Sequence, residues 1–134
     1  MSVISTVVYN YNYSDVVKHE YEPAIAFCRE RLIANEGSAL AYTVGTVVGI
    51  VTATGKVKRQ EASAVDGSQV AAGVVVENKA VPATTDTGVL VMVRGPAIMN
   101  KAMLTMGAST DTDAEKLAVY TALAAKNILA NTGI

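Results

Sequence analysis

The fold class is decided by the stretch TVVGIVTATGKVKRQE, residues 46–61 of a 134-residue chain. A first run rich in Val, Ile and Thr, residues 46–52, is separated from a second run, residues 56–61, by Ala53-Thr54-Gly55. Gly55 permits the positive φ angle that a tight turn between antiparallel strands requires. The stretch therefore predicts a β-hairpin. Its second run is mostly polar, which predicts a strand at an exposed edge of the sheet.

The same pattern continues on both sides of the hairpin. From about Ala24 to Leu104, short segments rich in Val and Thr alternate with glycines, which is typical of a β domain. Residues 65–68 predict a turn, and Val70–Glu77 predicts a strand. Residues 89–93, Val-Leu-Val-Met-Val, show no alternation of polar and apolar side chains, so they predict a central strand that is covered on both faces.

The C-terminal region begins with a helix-start signal. Thr112 followed by Glu115 forms a capping box, which predicts a helix from Asp113 to about Ala130. Its core-facing stripe is expected to consist of residues at helical spacing: Ala114, Leu117, Thr121, Ala124, Ala125 and Ile128. Val119 and Leu123 project on roughly the opposite side. A helix that is apolar on two sides is buried on two sides, and a small domain seldom covers both, so Val119 and Leu123 are candidates for a contact with another chain.

Residues 1–23 differ from the rest of the chain. Val3 to Val8 has strand propensity, and residues 9–13, Tyr-Asn-Tyr-Asn-Tyr, alternate aromatic and amide side chains with the period of a strand. Pro23 then biases Glu22 towards an extended conformation. On these residues alone two interpretations are open. Residues 1–23 form an extended arm with its tether, followed by a domain over 24–134, or they form the first strand of that domain.

Composition limits the function classes. Hydrophobic residues make up 51% of the chain and charged residues 17%, which excludes a disordered chain and indicates that some apolar surface faces another protein. The net charge of −1 offers no field for nucleic acid or an anionic membrane, so neither is expected as a partner. A single cysteine and the absence of a recognisable leader or 18-residue apolar stretch predict a protein made in the cytoplasm.

The sequence contains little that predicts catalysis. The single His19 and the single Cys28 show no sign of an orienting partner, and one His without a second cluster is a weak metal site. Gly49 to Lys56 lacks the spacing and the hydroxyl residue of a phosphate-binding loop. Lys56, Lys58 and Arg59 form a basic cluster without interleaved aromatic residues, as on a solvated edge strand. We therefore expect a protein that is not an enzyme, with no catalytic residues, no metal and no cofactor.

Several segments taken together resemble the phage lambda-type head decoration proteins. The resemblance covers about two-thirds of the chain, from near Ala39 to the C-terminus, and depends on the order and spacing of the segments rather than on one motif. The segments are residues 45–49 (GTVVG), 52–56 (TATGK), 66–74 (DGSQVAAGV) and 93–97 (VRGPA), closed by a short C-terminal helix.

The resemblance implies a non-enzymatic virion protein of mainly β structure with a C-terminal α-helix, a β-clip or β-tulip-like domain preceded by an extended N-terminal arm. Such proteins bind the outside of an expanded phage head as homotrimers and stabilise it against packaged DNA. Their arm adds a strand to the major capsid protein. The resemblance also implies that the protein is part of the virion, on the outer surface of the head, after synthesis in the host cytoplasm.

Carried onto this chain, the resemblance favours the arm interpretation and places the capsid-binding element from Ser2 to about Tyr13, with the stretch to Pro23 as its tether. Its candidate contact residues are Val3, Ile4, Thr6, Val7, Val8, Tyr9, Tyr11 and Tyr13. For the trimer interface the candidates are Arg94 and Pro96, at the end of the central strand, with Val119 and Leu123 from the helix. An alternative from another class stays open: a small β domain that binds a carbohydrate or another small ligand, although the chain is only 5% aromatic.

Overall fold

The computed structural model describes residues 12–132, and the prediction of a mainly β fold with a C-terminal helix is confirmed. The described helices are α1 (Tyr13–Val16) and α2 (Asp113–Ala124), with single 3₁₀ turns at Pro23–Ile25 and Lys101–Met103. The described strands are β1 (Val17–Glu20), β2 (Arg29–Ala34), β3 (Leu40–Tyr42), β4 (Val47–Ile50), β5 (Val57–Arg59), β6 (Ala71–Val75), β7 (Lys79–Val81), β8 (Thr87–Met92), β9 (Ala97–Asn100) and β10 (Ile128–Asn131).

Five of these strands close into a barrel in the order β2-β5-β4-β6-β8. The predicted hairpin is confirmed, because β4 and β5 pair antiparallel with Ile50 opposite Val57, and Gly55 turns the chain with φ 73°. The prediction that the second strand lies at an exposed edge is wrong. β5 gains a second neighbour, β2, through Ala34 opposite Val57, and both of these side chains are fully buried. Closure of the barrel supplies that neighbour from a distant part of the sequence.

The predicted central strand is also confirmed. β8 pairs antiparallel with β2 on one side and with β6 on the other. Val89 and Val91 point into one hydrophobic cluster of the barrel, whereas Met92 belongs to a second cluster and Leu90 packs against it. Side chains of both orientations therefore find apolar neighbours, which explains why this strand shows no alternation.

The helix is shorter than the sequence predicts. The capping box is present, with the Glu115 amide donating to the Thr112 hydroxyl at 3.2 Å, but α2 ends at Ala124 rather than near Ala130. Asn127 takes a left-handed conformation with φ 64°, and the chain continues as β10, parallel to β9. Ile128 is fully buried in that strand, so it belongs to the sheet and not to the helix.

The predicted core-facing stripe of the helix is wrong as well. Leu117 is 63% exposed, and Ala114, Thr121 and Ala124 are exposed too. Val119 is 1% exposed and Leu123 is 0% exposed, because α2 packs on β6 and β10 through this side. Val119 and Leu123 therefore fill the core of their own chain. They leave almost no surface for the contact with another subunit that the sequence suggested.

The beginning of the described chain is part of the domain. β1 pairs antiparallel with β9, with Val17 opposite Met99, and β9 lies between β1 and β10 in a three-stranded sheet. Val16 and Val17 are buried in the main hydrophobic cluster. The segment predicted as a tether up to Pro23 is thus a packed element, because two adjacent valines bury themselves there. Tyr13 is helical and not extended, and the other predicted arm residues lie outside the described residues.

Candidate functional site

The point at which the N-terminal segment joins the domain is held by three side chains, which we call the anchor network: Tyr13, Glu20 and Arg29. The Tyr13 hydroxyl donates to one carboxylate oxygen of Glu20. The Arg29 Nε donates to the other oxygen at 2.7 Å, and an Arg29 terminal nitrogen donates to the Pro23 carbonyl at 2.9 Å. α1, β1, β2 and the turn at Pro23 are joined through these bonds.

The centre of the anchor network is the buried carboxylate of Glu20. The Glu20 side chain is only 4% exposed, so its charge depends on its two donors rather than on water. Burial of the Tyr13 phenol, together with its hydrogen bond to Glu20, raises the pKa of Tyr13, which therefore stays protonated and donating at physiological pH. The chain is consequently fixed in place one residue after Asn12, and Asn12 itself is exposed.

An exposed loop of residues 21–27, which we call the apolar loop, lies directly beside the anchor network. Tyr21, Ile25 and Phe27 are all exposed, and Ile25 is 69% exposed. The Tyr21 and Phe27 rings meet edge to face, with centroids 5.4 Å apart and an interplanar angle of 83°. Sequence reasoning missed this loop, although the single Phe of the chain lies in it, because Pro23 was taken only to mark the end of the tether.

Two of the predicted trimer-interface residues border this loop. The Arg94 guanidinium lies 5.7 Å from the centroid of the Phe27 ring, donates to the Phe27 carbonyl and pairs with Glu30. Pro96 is exposed, follows a cis peptide bond, and its carbonyl accepts the Tyr21 amide at 2.9 Å. Arg94 and Pro96 are therefore surface residues, whereas the other two candidates, Val119 and Leu123, are buried in the core.

The two residues considered for catalysis differ in their exposure to solvent. His19 is exposed on β1, and Cys28 is buried with its thiol 3.5 Å from the Tyr21 carbonyl. Among residues 12–132, no group of three or more His, Cys, Asp or Glu is placed to hold a metal ion. Over the same residues, no helix is long and apolar enough to cross a membrane.

A polar cavity of about 340 Å³ is lined by residues of the barrel and its connections, among them Glu36, Arg59 and Glu61. The Glu36 carboxylate accepts the Tyr42 hydroxyl and the Arg59 amide, the latter at 2.7 Å. Burial and the bond to Glu36 raise the pKa of Tyr42. Arg59 also pairs with Glu61 at 3.1 Å. These charged groups therefore join the barrel to its connections through bonds within the chain.

The described chain thus consists of a closed β barrel, a three-stranded sheet, a helix packed on both, and an N-terminal junction beside an apolar loop. The family model of bacteriophage lambda head decoration protein D matches residues 8–128. The chain belongs to this family, so it is a capsid decoration protein, a structural component of a phage head. No curated protein matches the chain.

Proposed function

We propose that the protein binds the outer surface of an expanded phage head as a homotrimer and stabilises the head against the pressure of packaged DNA. The observation that carries this proposal is the family match over residues 8–128, which includes the barrel, the helix and the anchor network. The protein acts by bridging capsid subunits without changing a covalent bond, so no catalytic group is needed.

The capsid-binding element is an arm that ends before Asn12 and adds a strand to the major capsid protein. Strand addition takes affinity from main-chain hydrogen bonds and specificity from alternate side chains. The arm's contact residues are Val3, Ile4, Thr6, Val7, Val8, Tyr9 and Tyr11. Tyr13 is removed from this set, because its hydroxyl is already bonded to Glu20. Ten residues span at most roughly 33 Å when fully extended, which sets the reach of such an arm.

In a trimer, three weakly binding arms together give tight attachment to the head. Ordering one arm on the shell costs about 1 kcal/mol or more per residue, so a single arm binds weakly. Three arms on one body raise the effective concentration of the second and third contacts, and attachment becomes tight without any stronger individual contact. Arg94 and Pro96 remain the candidates for contacts between subunits, since both lie at the surface.

The proposal is tested with empty phage heads that lack their decoration protein, prepared in the unexpanded and the expanded form. The full chain should sediment with expanded heads only. A variant without residues 2–11 should keep the trimer mass and the melting temperature but stay in the supernatant, because the anchor network and core are intact. A variant with the order of residues 2–11 shuffled is the matched control for length and composition, and it should bind weakly. Failure of the full chain to bind expanded heads contradicts the proposed function, and normal binding by the truncated variant contradicts the role of the arm.

A further inference from the structure

We propose that the bond between Asp66 and Gly67 is a latent modification site, at which the native turn blocks the spontaneous conversion of aspartate to isoaspartate. It is the only place in the chain where Asp or Asn precedes Gly. Glycine has no side chain to hinder attack by its own amide nitrogen on the preceding carboxyl group, so this pair is the most reactive of its kind. The inference concerns the chemical durability of the chain and does not depend on how the protein binds a head.

The reaction needs no reagent other than water. The Gly67 amide nitrogen forms a bond to Cγ of Asp66, the amide proton and the carboxyl hydroxyl leave as one water molecule, and a cyclic imide results. A second water molecule then opens the ring. Opening at the main-chain carbonyl of Asp66 leaves the backbone running through Cγ, one methylene longer than before, and a turn with fixed hydrogen bonds must distort to hold it.

The first obstacle to this reaction is the state of the Asp66 carboxylate. One oxygen accepts the Ser68 amide at 3.0 Å and the Ser68 hydroxyl at 2.6 Å, and the other accepts the Lys58 ammonium at 3.3 Å. These donors stabilise the ionised form and hold the pKa of Asp66 at about 2. Ring closure needs the protonated group, because the hydroxyl must leave as water. The same bonds also prevent the side chain from rotating freely.

The second obstacle is the amide nitrogen that would attack. The Gly67 amide donates to the side-chain oxygen of Gln69 at 2.8 Å, so the proton that the reaction must remove is held in a hydrogen bond. The Asp66 carbonyl accepts the Thr52 amide at 2.9 Å, which ties the turn to the end of the first hairpin strand. Ser68 is 1% exposed, so its bonds to the carboxylate are shielded from water.

The turn cannot remove the reactive pair by replacing its glycine. Gly67 has φ 106°, a conformation that residues with a side chain rarely adopt. A Cβ at this position would lie 2.7 Å from the Ile50 carbonyl oxygen and would also overlap the Thr52 hydroxyl. The fold therefore requires glycine after Asp66, and the bonds from Ser68 and Gln69 protect the pair that results.

The test follows isoaspartate at position 66 by peptide mapping and by enzymatic methylation, during long incubation of the full chain at neutral pH. The chain unfolded in guanidinium chloride should accumulate isoaspartate there much faster than the folded chain. The folded Ser68→Ala variant should form it about tenfold faster than the unchanged folded chain, because a hydrogen bond to a charged group is lost and the turn opens more often. Gln69→Ala frees the Gly67 amide, leaves the carboxylate bonds intact and should also be faster, so it serves if Ser68→Ala does not fold.

Two control variants separate the turn from the rest of the protein. Ser63→Ala removes an exposed hydroxyl from the same connection between β5 and β6, and it should form isoaspartate at the unchanged rate. Tyr13→Phe weakens the anchor network without touching the turn, and it should also leave the rate unchanged while the chain stays folded.

Three results would overturn the inference. Equal rates in the folded and the unfolded chain would show that the turn protects nothing. Absence of isoaspartate at position 66 in the unfolded chain would show that there is no latent site. An acceleration by Tyr13→Phe as large as that by Ser68→Ala would show that global unfolding, and not the bonds of the turn, controls the reaction. Binding to heads plays no part in these measurements, so their failure leaves the proposed function standing.

Discussion

Replacing Leu123 by Ala should destabilise the protein far more than replacing Leu117 by Ala on the same helix. Leu123 is 0% exposed and packs in the cluster that contains Val119 and Ile128, so its removal loses burial and leaves a cavity. Buried Leu-to-Ala changes cost about 2–5 kcal/mol. Leu117 is 63% exposed, and its truncation should change the free energy of unfolding by less than about 0.5 kcal/mol. Leu and Ala have similar helix propensities, so the difference reports packing.

The assay is equilibrium unfolding in urea, followed by circular dichroism at two protein concentrations. A domain of this size is stable by about 5–15 kcal/mol, so the Leu123→Ala midpoint should fall by a large fraction of its value with an unchanged slope. The two concentrations separate loss of packing within a chain from loss of association between chains. An equal cost at the two positions, or a larger cost at Leu117, would refute the assignment of the buried face.

Three further changes follow from the structure. Tyr13→Phe removes one of the two donors of the buried Glu20 carboxylate, so thermal unfolding should show a loss of about 1–3 kcal/mol; an unchanged melting temperature would contradict the anchor network. Gly49→Ala would place a Cβ 2.2 Å from the Ser68 carbonyl oxygen, so the backbone must shift. The free energy of unfolding in urea should fall by about 1–3 kcal/mol, and an unchanged free energy would disprove this close approach. The Ser68 hydroxyl and amide hold the pKa of Asp66 at about 2, below its ordinary 3.8. The stability that Asp66 adds is therefore full above about pH 4 and lost as the pH falls through about 2. The Asp66→Asn variant should have a lower melting temperature than the unchanged protein at pH 7, and this difference should shrink as the pH falls from about 4 to about 2. A difference in melting temperature that stays constant over this range would contradict the stabilising role of the Asp66 carboxylate.

Local signals in the sequence were sufficient for several elements. The hairpin over residues 46–61 requires only a β-branched run, a glycine with positive φ and a second run, all within 16 residues. The capping box of Thr112 and Glu115 is equally local, and both features are present in the structure. Residues 89–93 predicted a strand covered on both faces, because the side chains that point to either face are apolar.

The features that the sequence could not predict depend on partners far away in the chain. Nothing near Val57 shows that β2 returns to close the barrel. The helix stripe was misjudged because many of its positions are alanines, whose small side chains fit either face, so the pattern could not separate Leu117 from Leu123. The end of α2 could not be predicted either, because Ile128 lies in a strand only through its pairing with β9.

The capsid-binding arm and the contacts between subunits stay predictions. The alternation over residues 9–13 left an arm and a first strand of the domain open, and only the family resemblance favoured the arm. Where the packed domain begins depends on the burial of Val16 and on the bond from Tyr13 to Glu20. The sequence gives no sign that Glu20 is buried, because only the fold brings Arg29 to it across nine residues. The exposure of the apolar loop could not be predicted either, because it depends on the turn at Pro23.

The most direct test of the central claim is an electron cryomicroscopy reconstruction of expanded heads mixed with the full chain. Trimeric density is expected on the outer surface at three-fold positions, with residues 2–11 adding a strand to a sheet of the major capsid protein. Density confined to the inner surface, or heads without added density at saturating protein, would contradict it.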